Sequence, residues 1–379
     1  MYDQIRQDTL FIILYSMVTA TAVLASCYLL FRQGNAFAKD VTPPARLRRW
    51  AAAFFAAFAL NHVWYMPIFF LTSREDIMMT DLIGGLLDFM TVFPLIIVVL
   101  FAMLQDRRRP LWPIAVMFAP IALGNAFNFI TRSYAFLPIV YVYSLLMSIG
   151  LIIYMVRALR QYGRWLRDNY ADLEHKEVWQ SFVVLAIILL MFVVYALTNE
   201  NQIFIYVILV ITAVFICYLL WRVETISDLS ILIQSDTAIA VDDEADLNVP
   251  DERGRGISPG VKLSLSQNIG PLLKQYCEEP QLYLQYDISL SQLATSIGIN
   301  RSYLSKHFAM QGLTYNAYIN GLRIQHFIKL YHESVATHLP IMVQQLALQS
   351  GFRSYSTFNA VFKQSMGTTA TEWMRNMTE

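Results

Sequence analysis

Eight polar side chains near the C-terminal end of the chain fall into two sets, one on each of two predicted helices. Arg301, Ser302, Ser305 and Lys306 occupy one face of a predicted helix whose other face carries Leu304 and Phe308. Tyr355, Ser356, Asn359 and Lys363 take the equivalent places on a second predicted helix, opposite Phe358 and Phe362. These side chains make hydrogen bonds and ion pairs, not covalent bonds. Arg and Asn suit paired hydrogen bonds to base edges in a major groove, Lys suits phosphate, and hydroxyls serve either. The expected partner is double-stranded DNA.

Each set needs a rigid mount, and the residues around it supply one. In LSQLATSIGINRSYLSKHF (290–308), Leu293, Ala294 and Ile297 line a first helix, Gly298 makes a turn, and Asn300 caps a second helix. A small Ala in the first helix and Gly in the turn let the two helices cross closely. VQQLALQSGFRSYSTFNAVFK (343–363) repeats the plan with Leu346, Ala347, Gly351, Phe358 and Phe362.

Two such units in tandem resemble the DNA-binding domain of the AraC/XylS family, over roughly residues 265–375. Family features present are Gly312, Tyr318, the Arg323-Ile324 pair opening a connecting helix, Gly351-Phe352, and Gly367-Thr368-Thr369. The resemblance implies an all-α domain with two helix-turn-helix units. The chain departs from the family pattern at Phe327, where a small Ala is usual, which implies a repacked connector. Ala370 replaces the usual Pro and Met374 the usual closing Arg. Ala360 stands where the second recognition helix is often basic, which implies weaker DNA binding by that unit.

The rest of the chain has a different solvent. The sequence is 56% hydrophobic with a mean hydropathy of +0.44, and the excess lies almost wholly before Trp221. Seven apolar runs are each long enough to cross about 30 Å of hydrocarbon as a helix. They are Thr9–Phe31, Trp50–Leu71, Leu82–Leu104, Leu111–Ile130, Phe136–Val156, Trp179–Leu197 and Ile203–Trp221. Residues Met1 to Asp8 lack a basic region and the first run is too long for a signal peptide, so it is expected to be an uncleaved span. The loops after runs one, three and five hold thirteen Lys and Arg, whereas the opposite side holds only Arg6, Arg74 and Arg132. The N-terminus is therefore expected outside and the C-terminal part inside the cell.

Polar groups inside these runs are costly, and each is a candidate for a signal site. They are His62, Asp88, Asn125 and Asn128, with Asn61 beside His62. Asp88 is expected about 9 Å from the outer end of its helix, and with His62 it would line a pocket open to the outside. The competing reading is that these groups hydrogen-bond between helices and hold the bundle together. The last run contains no Lys, which excludes a retinal Schiff base, and the three cysteines, Cys27, Cys217 and Cys277, form neither a disulfide pattern nor a zinc pattern. No cofactor, metal or catalytic constellation is expected.

The expected architecture is all-α: a seven-helix transmembrane bundle (1–221), a helical extension and acidic linker (222–260), and an AraC-type domain (261–379). Residues 223–260 carry nine acidic against two basic residues, whereas 261–379 carry six against nine. The segment up to about Asp236 continues the helical spacing, with Val223, Ile226, Leu229 and Ile233 forming an apolar stripe suited to a homodimer contact. Residues 239–260 read as disordered. The whole describes a DNA-binding regulator in a bacterial inner membrane whose spans perceive an unidentified signal. The alternative is a transporter or membrane enzyme with a DNA-binding reporter tail.

Overall fold

The computed structural model describes residues 8–32, 34–38, 41–131, 136–187, 202–229, 269–338, 340 and 342–378. Among them the secondary structure is helical, apart from an isolated antiparallel bridge between Tyr170 and Ser289. The chain divides into two compact units. One comprises Met1–Tyr162 with Glu177–Ser230, the other Gly163–Lys176 with Ile231–Glu379.

The first unit contains α1 (Thr9–Phe31), α2 (Ala45–Tyr65), α3 (Arg74–Leu87), α4 (Phe93–Met103), α5 (Trp112–Thr131), most of α6 (Leu137–Asn169) and α7 (Gln202–Thr225). Five of the helical stretches are long and apolar enough to cross a membrane: Thr9–Phe31, Ala45–Phe69, Ile83–Met103, Pro138–Asn169 and Tyr206–Thr225. Trp112–Phe127 is a shorter apolar helix. The expected run Trp179–Leu197 is helical over 179–187, and its remainder lies outside the described residues. Their outward faces are apolar as well: Leu24, Leu60, Leu123 and Ile130 are each about 70% exposed or more. A helix that is apolar all round and yet uncovered by protein suits lipid.

Small residues bring α1 and α2 together. Ala22, Ala25, Ala51 and Ala52 are buried at their contact, and Ser26 Oγ donates to the Ala52 carbonyl at 3.0 Å. Between α3 and α4 the helix widens to a π turn over Asp88–Val92, with the Phe93 N–H reaching back to the Asp88 carbonyl. The cause is Pro94, which has no N–H to continue the ordinary ladder.

α7 ends at Thr225, short of the extension to about 236 that the spacing predicts. Side chains from elsewhere in the unit take over its terminal backbone groups. Asn35 Nδ2 donates to the Glu224 carbonyl at 2.7 Å. The amide of Gln105 donates to the Ser227 carbonyl and accepts from the Leu229 N–H, both at 2.8 Å. Glu224 itself is fully buried and paired with Arg48 at 2.9 Å. This corrects the homodimer seam. Val223, Ile226 and Leu229 are at most 3% exposed in the single chain, and Ile233 and the acidic stretch 239–260 lie outside the described residues.

The second unit is built on α11 (Tyr315–Ala336), which joins two helix pairs. The first pair is α9 (Leu290–Ile297) and α10 (Arg301–Met310), preceded by α8 (Ile269–Leu273). The second is α12 (Val343–Gln349) and α13 (Tyr355–Met366), followed by α14 (Ala370–Thr378). Each pair has its own core, and α11 belongs to both. Ile319 packs with Leu293, Ala294, Leu304 and Phe308, while Ile324, Phe327 and Tyr331 pack with Leu346, Ala347, Phe358 and Phe362. Phe327 lies 4.6 Å from the Phe358 ring and 5.6 Å from the Phe362 ring, so this large connector residue is accommodated by tilted and edge-to-face ring packing.

Candidate nucleic-acid interface

The first helix pair is fixed by caps at both ends of its turn. Ser289 and Gln292 form a capping box at the start of α9. Gly298 closes that helix with φ +76°, and the Asn300 side chain accepts from the Ser302 N–H at 2.8 Å to start α10. Because Leu304 and Phe308 are buried, Ser302 and Lys306 face solvent, with Arg301 and Ser305 half-buried beside them. His307 is on the same helix. Burial lowers its pKa from the ordinary 6.5, so at neutral pH it adds no charge to this face.

The second pair is held more tightly at its turn. Gly351 adopts φ +87°, and a Cβ there would meet the backbone of Leu284 at 2.7 Å. Ser354 caps α13 by accepting from the Thr357 N–H. Phe358 and Phe362 are buried, leaving Ser356 and Lys363 exposed and Asn359 half-buried. Tyr355 differs from the outward role expected of it, since its ring stacks on Phe358 at 6.0 Å and packs against the core. Ala360 is exposed on the same helix.

A buried arginine ties the connector to the chain ahead of the first pair. Arg323 is 1% exposed, and its Nε donates to the Tyr283 carbonyl while Nη2 donates to Gln285 and Tyr286 carbonyls. Burial lowers its pKa to about 10, still far above neutrality, so the cation persists. Cys277 is buried nearby in the core, where desolvation pushes its thiol up to about 12 and leaves it unreactive.

In the first unit the structure joins only part of the expected signal site. Asp88 Oδ1 accepts from Asn61 Nδ2 at 2.9 Å, and Tyr65 OH donates to Asp88 Oδ2 at 3.0 Å. Asn61 Nδ2 also donates to Thr91 Oγ1 at 3.0 Å. Gly84 makes room for this, since a Cβ there would collide with the Tyr65 ring. The His62 ring instead stacks on Tyr15 at 4.8 Å and lies 4.2 Å from Phe58. Asn125 is half-buried on α5, and the Asn128 side chain lies outside what is described.

Residues 293–376 match the family described as a helix-turn-helix domain. The C-terminal part of the chain carries an AraC-type helix-turn-helix domain. Over 92 residues the chain is 36% identical to an uncharacterized HTH-type transcriptional regulator of Staphylococcus aureus, covering 24% of this chain and 12% of that relative. Similarly described proteins of S. aureus strains MRSA252 and COL are 35% and 34% identical over the same length. The chain thus spans only about an eighth of the length of these curated relatives. No solved structure matches it.

Two features of the AraC-type domain escaped the sequence reading. Thr357, between two predicted site residues on α13, donates to Glu174 Oε2 at 3.1 Å. Arg301 donates through Nε at 3.0 Å and through Nη2 to the Asn169 Oδ1. Both acceptors come from the segment Gly163–Lys176, more than a hundred residues earlier. No local pattern marks such pairs.

Proposed function

We propose that this chain is a one-component transcription regulator anchored in a bacterial inner membrane, with its N-terminus outside and its AraC-type domain inside. The observation that carries this reading is the tandem pair of capped recognition helices on the same chain as helices long and apolar enough to cross a bilayer. On this reading seven spans form the sensor, and the thirteen basic residues of alternate loops set its orientation. Arg301, Ser302, Ser305 and Lys306 meet DNA from the first unit, and Tyr355, Ser356, Asn359 and Lys363 from the second. The half-packed Tyr355 ring and exposed Ala360 agree with a weaker second unit. Asp88, His62, Asn125 and Asn128 remain the candidate signal site, with Asn61, Tyr65 and Thr91 completing the shell around Asp88.

Reporter fusions after Arg49, Arg109 and Arg164 should then read as cytoplasmic, and fusions near Arg74 and Arg132 as external. Genome-wide occupancy of the intact protein should show discrete sites that vanish when Lys306 and Arg301 are both replaced by Ala. A C-terminal domain found outside the cell, or occupancy indifferent to that double change, ends this reading.

A further inference from the structure

The unit that contains the AraC-type domain includes a piece of chain from far upstream. Gly163–Lys176 carries the end of α6 and the turn after it, and it belongs to the same compact unit as the recognition helices. Its docking is specific. Ala171 is 2% exposed in the core of the first helix pair, and its N–H donates to the Ile288 carbonyl. Asn316 Nδ2 donates to the Ala171 and Tyr170 carbonyls at 2.6 and 3.1 Å. Lys176, 2% exposed, donates to Asp287 Oδ1 at 2.7 Å.

From this anchorage the segment reaches both recognition helices. Asn169 Oδ1 accepts from two nitrogens of Arg301, and Glu174 Oε2 accepts from Thr357. The Arg301 nitrogens given to Asn169 are donors that a guanine edge or a phosphate would need. Glu174 places a carboxylate beside α13, where a DNA backbone would place phosphates of the same sign. A polar loop that only braced the fold would have no reason to put an acceptor on each of the two DNA-facing helices.

We propose that Asn169–Lys176 is a built-in competitor of DNA, occupying the recognition helices of the AraC-type domain until it is displaced. This rests on the DNA-binding reading above. Because Asn169 is the last residue of α6, a helix that begins at Leu137 within an apolar stretch, movement of that helix is the natural means of displacement.

The test uses the full chain in lipid nanodiscs, with duplexes selected by that chain from a random-sequence library. The double variant Asn169→Ala, Glu174→Ala should bind these duplexes about tenfold more tightly, the scale expected for releasing a charge-assisted hydrogen bond. Asn169→Asp, which adds a charge opposite Arg301, should bind more weakly. A second measurement does not depend on the variants. Saturating DNA should speed hydrogen exchange at the amides of 169–176 in the parent chain. Unchanged or weaker binding by the double variant, or exchange at 169–176 that slows with DNA, overturns the competitor and identifies the segment as a strut. Absence of binding by every chain, including the double variant, removes the DNA reading itself and the competitor with it.

Discussion

The Arg323 guanidinium donates through Nε to the carbonyl oxygen of Tyr283 at 2.8 Å, joining the connector helix to the turn that precedes the first helix pair. Gln285 and Tyr286 contribute two further carbonyls to the same fork, so one cation satisfies three backbone acceptors. Arg323→Ala removes a charged partner from all three and should destabilise the domain by about 3 to 5 kcal/mol. Arg323→Lys should recover only part, because an ammonium lacks the planar fork. Chemical unfolding followed by the combined fluorescence of Trp373 and Trp165 in the isolated C-terminal unit, with 163–176 supplied by fusion, measures both. Equal stability of Lys and Arg at this position would show that the geometry of the fork is immaterial.

Two turn glycines should respond differently to Ala. At Gly298 the backbone is left-handed and the space around a Cβ is open, so Gly298→Ala should cost about 1 kcal/mol of backbone strain alone. At Gly351 the same strain is joined by collision with the Leu284 backbone, and Gly351→Ala should cost at least about 3 kcal/mol. Unfolding midpoints of the two variants, compared in one preparation, check the ranking.

Asn61→Ala should destabilise the first unit by about 1 to 3 kcal/mol, since it leaves Asp88 Oδ1 and Thr91 without the donor they share. Leu60→Ala on the same helix is the control, because Leu60 is 70% exposed and packs against little protein. Thermal unfolding in a single detergent reads the difference. A cost at Leu60 equal to that at Asn61 would mean the polar cluster contributes nothing of its own.

Docking of the 169–176 segment should depend on pH through Asp172. Burial raises its pKa above the ordinary 3.8, offset in part by the Lys176 cation, by the hydrogen bond from the Glu174 N–H and by Arg353. The protonated form is therefore the one favoured by the docked segment. Its contribution is complete below about the released value and is lost as pH rises through the docked value. Asp172→Asn should remove this dependence and hold the segment more firmly at pH 7. Hydrogen exchange at 169–176 across pH 4 to 7, corrected for intrinsic rates, should fall with acid in the parent and stay level in the variant.

The sequence exposes what is local and periodic. Gly298, Asn300, Leu304 and Phe308 announce the first helix pair because each turn and cap needs its own residue type within a few positions. The first apolar run matches its helix at both ends, Thr9 and Phe31, because no charged or helix-breaking residue interrupts it and Asp8 caps it by accepting from two N–H groups. Long-range substitutions for a helix end leave no such mark. Gln105, an ordinary polar loop residue by pattern, is what holds Ser227 and Leu229 and stops α7. The stripe Val223, Ile226, Leu229 was legible as apolar, but periodicity alone does not say whether its cover comes from a second copy or from the same chain. Asn169 and Glu174 are likewise polar residues in a basic loop, and their partners are fixed by a fold that brings distant segments together.

The position of Gly163–Lys176 along the chain gives the regulator an order of manufacture. Roughly ninety residues separate Lys176 from Ile269, about 5 to 20 s of translation at ordinary ribosome rates. The restraining segment is therefore made, and its helix α6 formed, before the first residue of the helix pairs leaves the ribosome. If the segment competes with DNA as proposed, a newborn DNA-binding domain meets its occupant as it folds. Cutting the chain after Ser230 would undo this, since the occupant would stay with the first half while the domain departed without it.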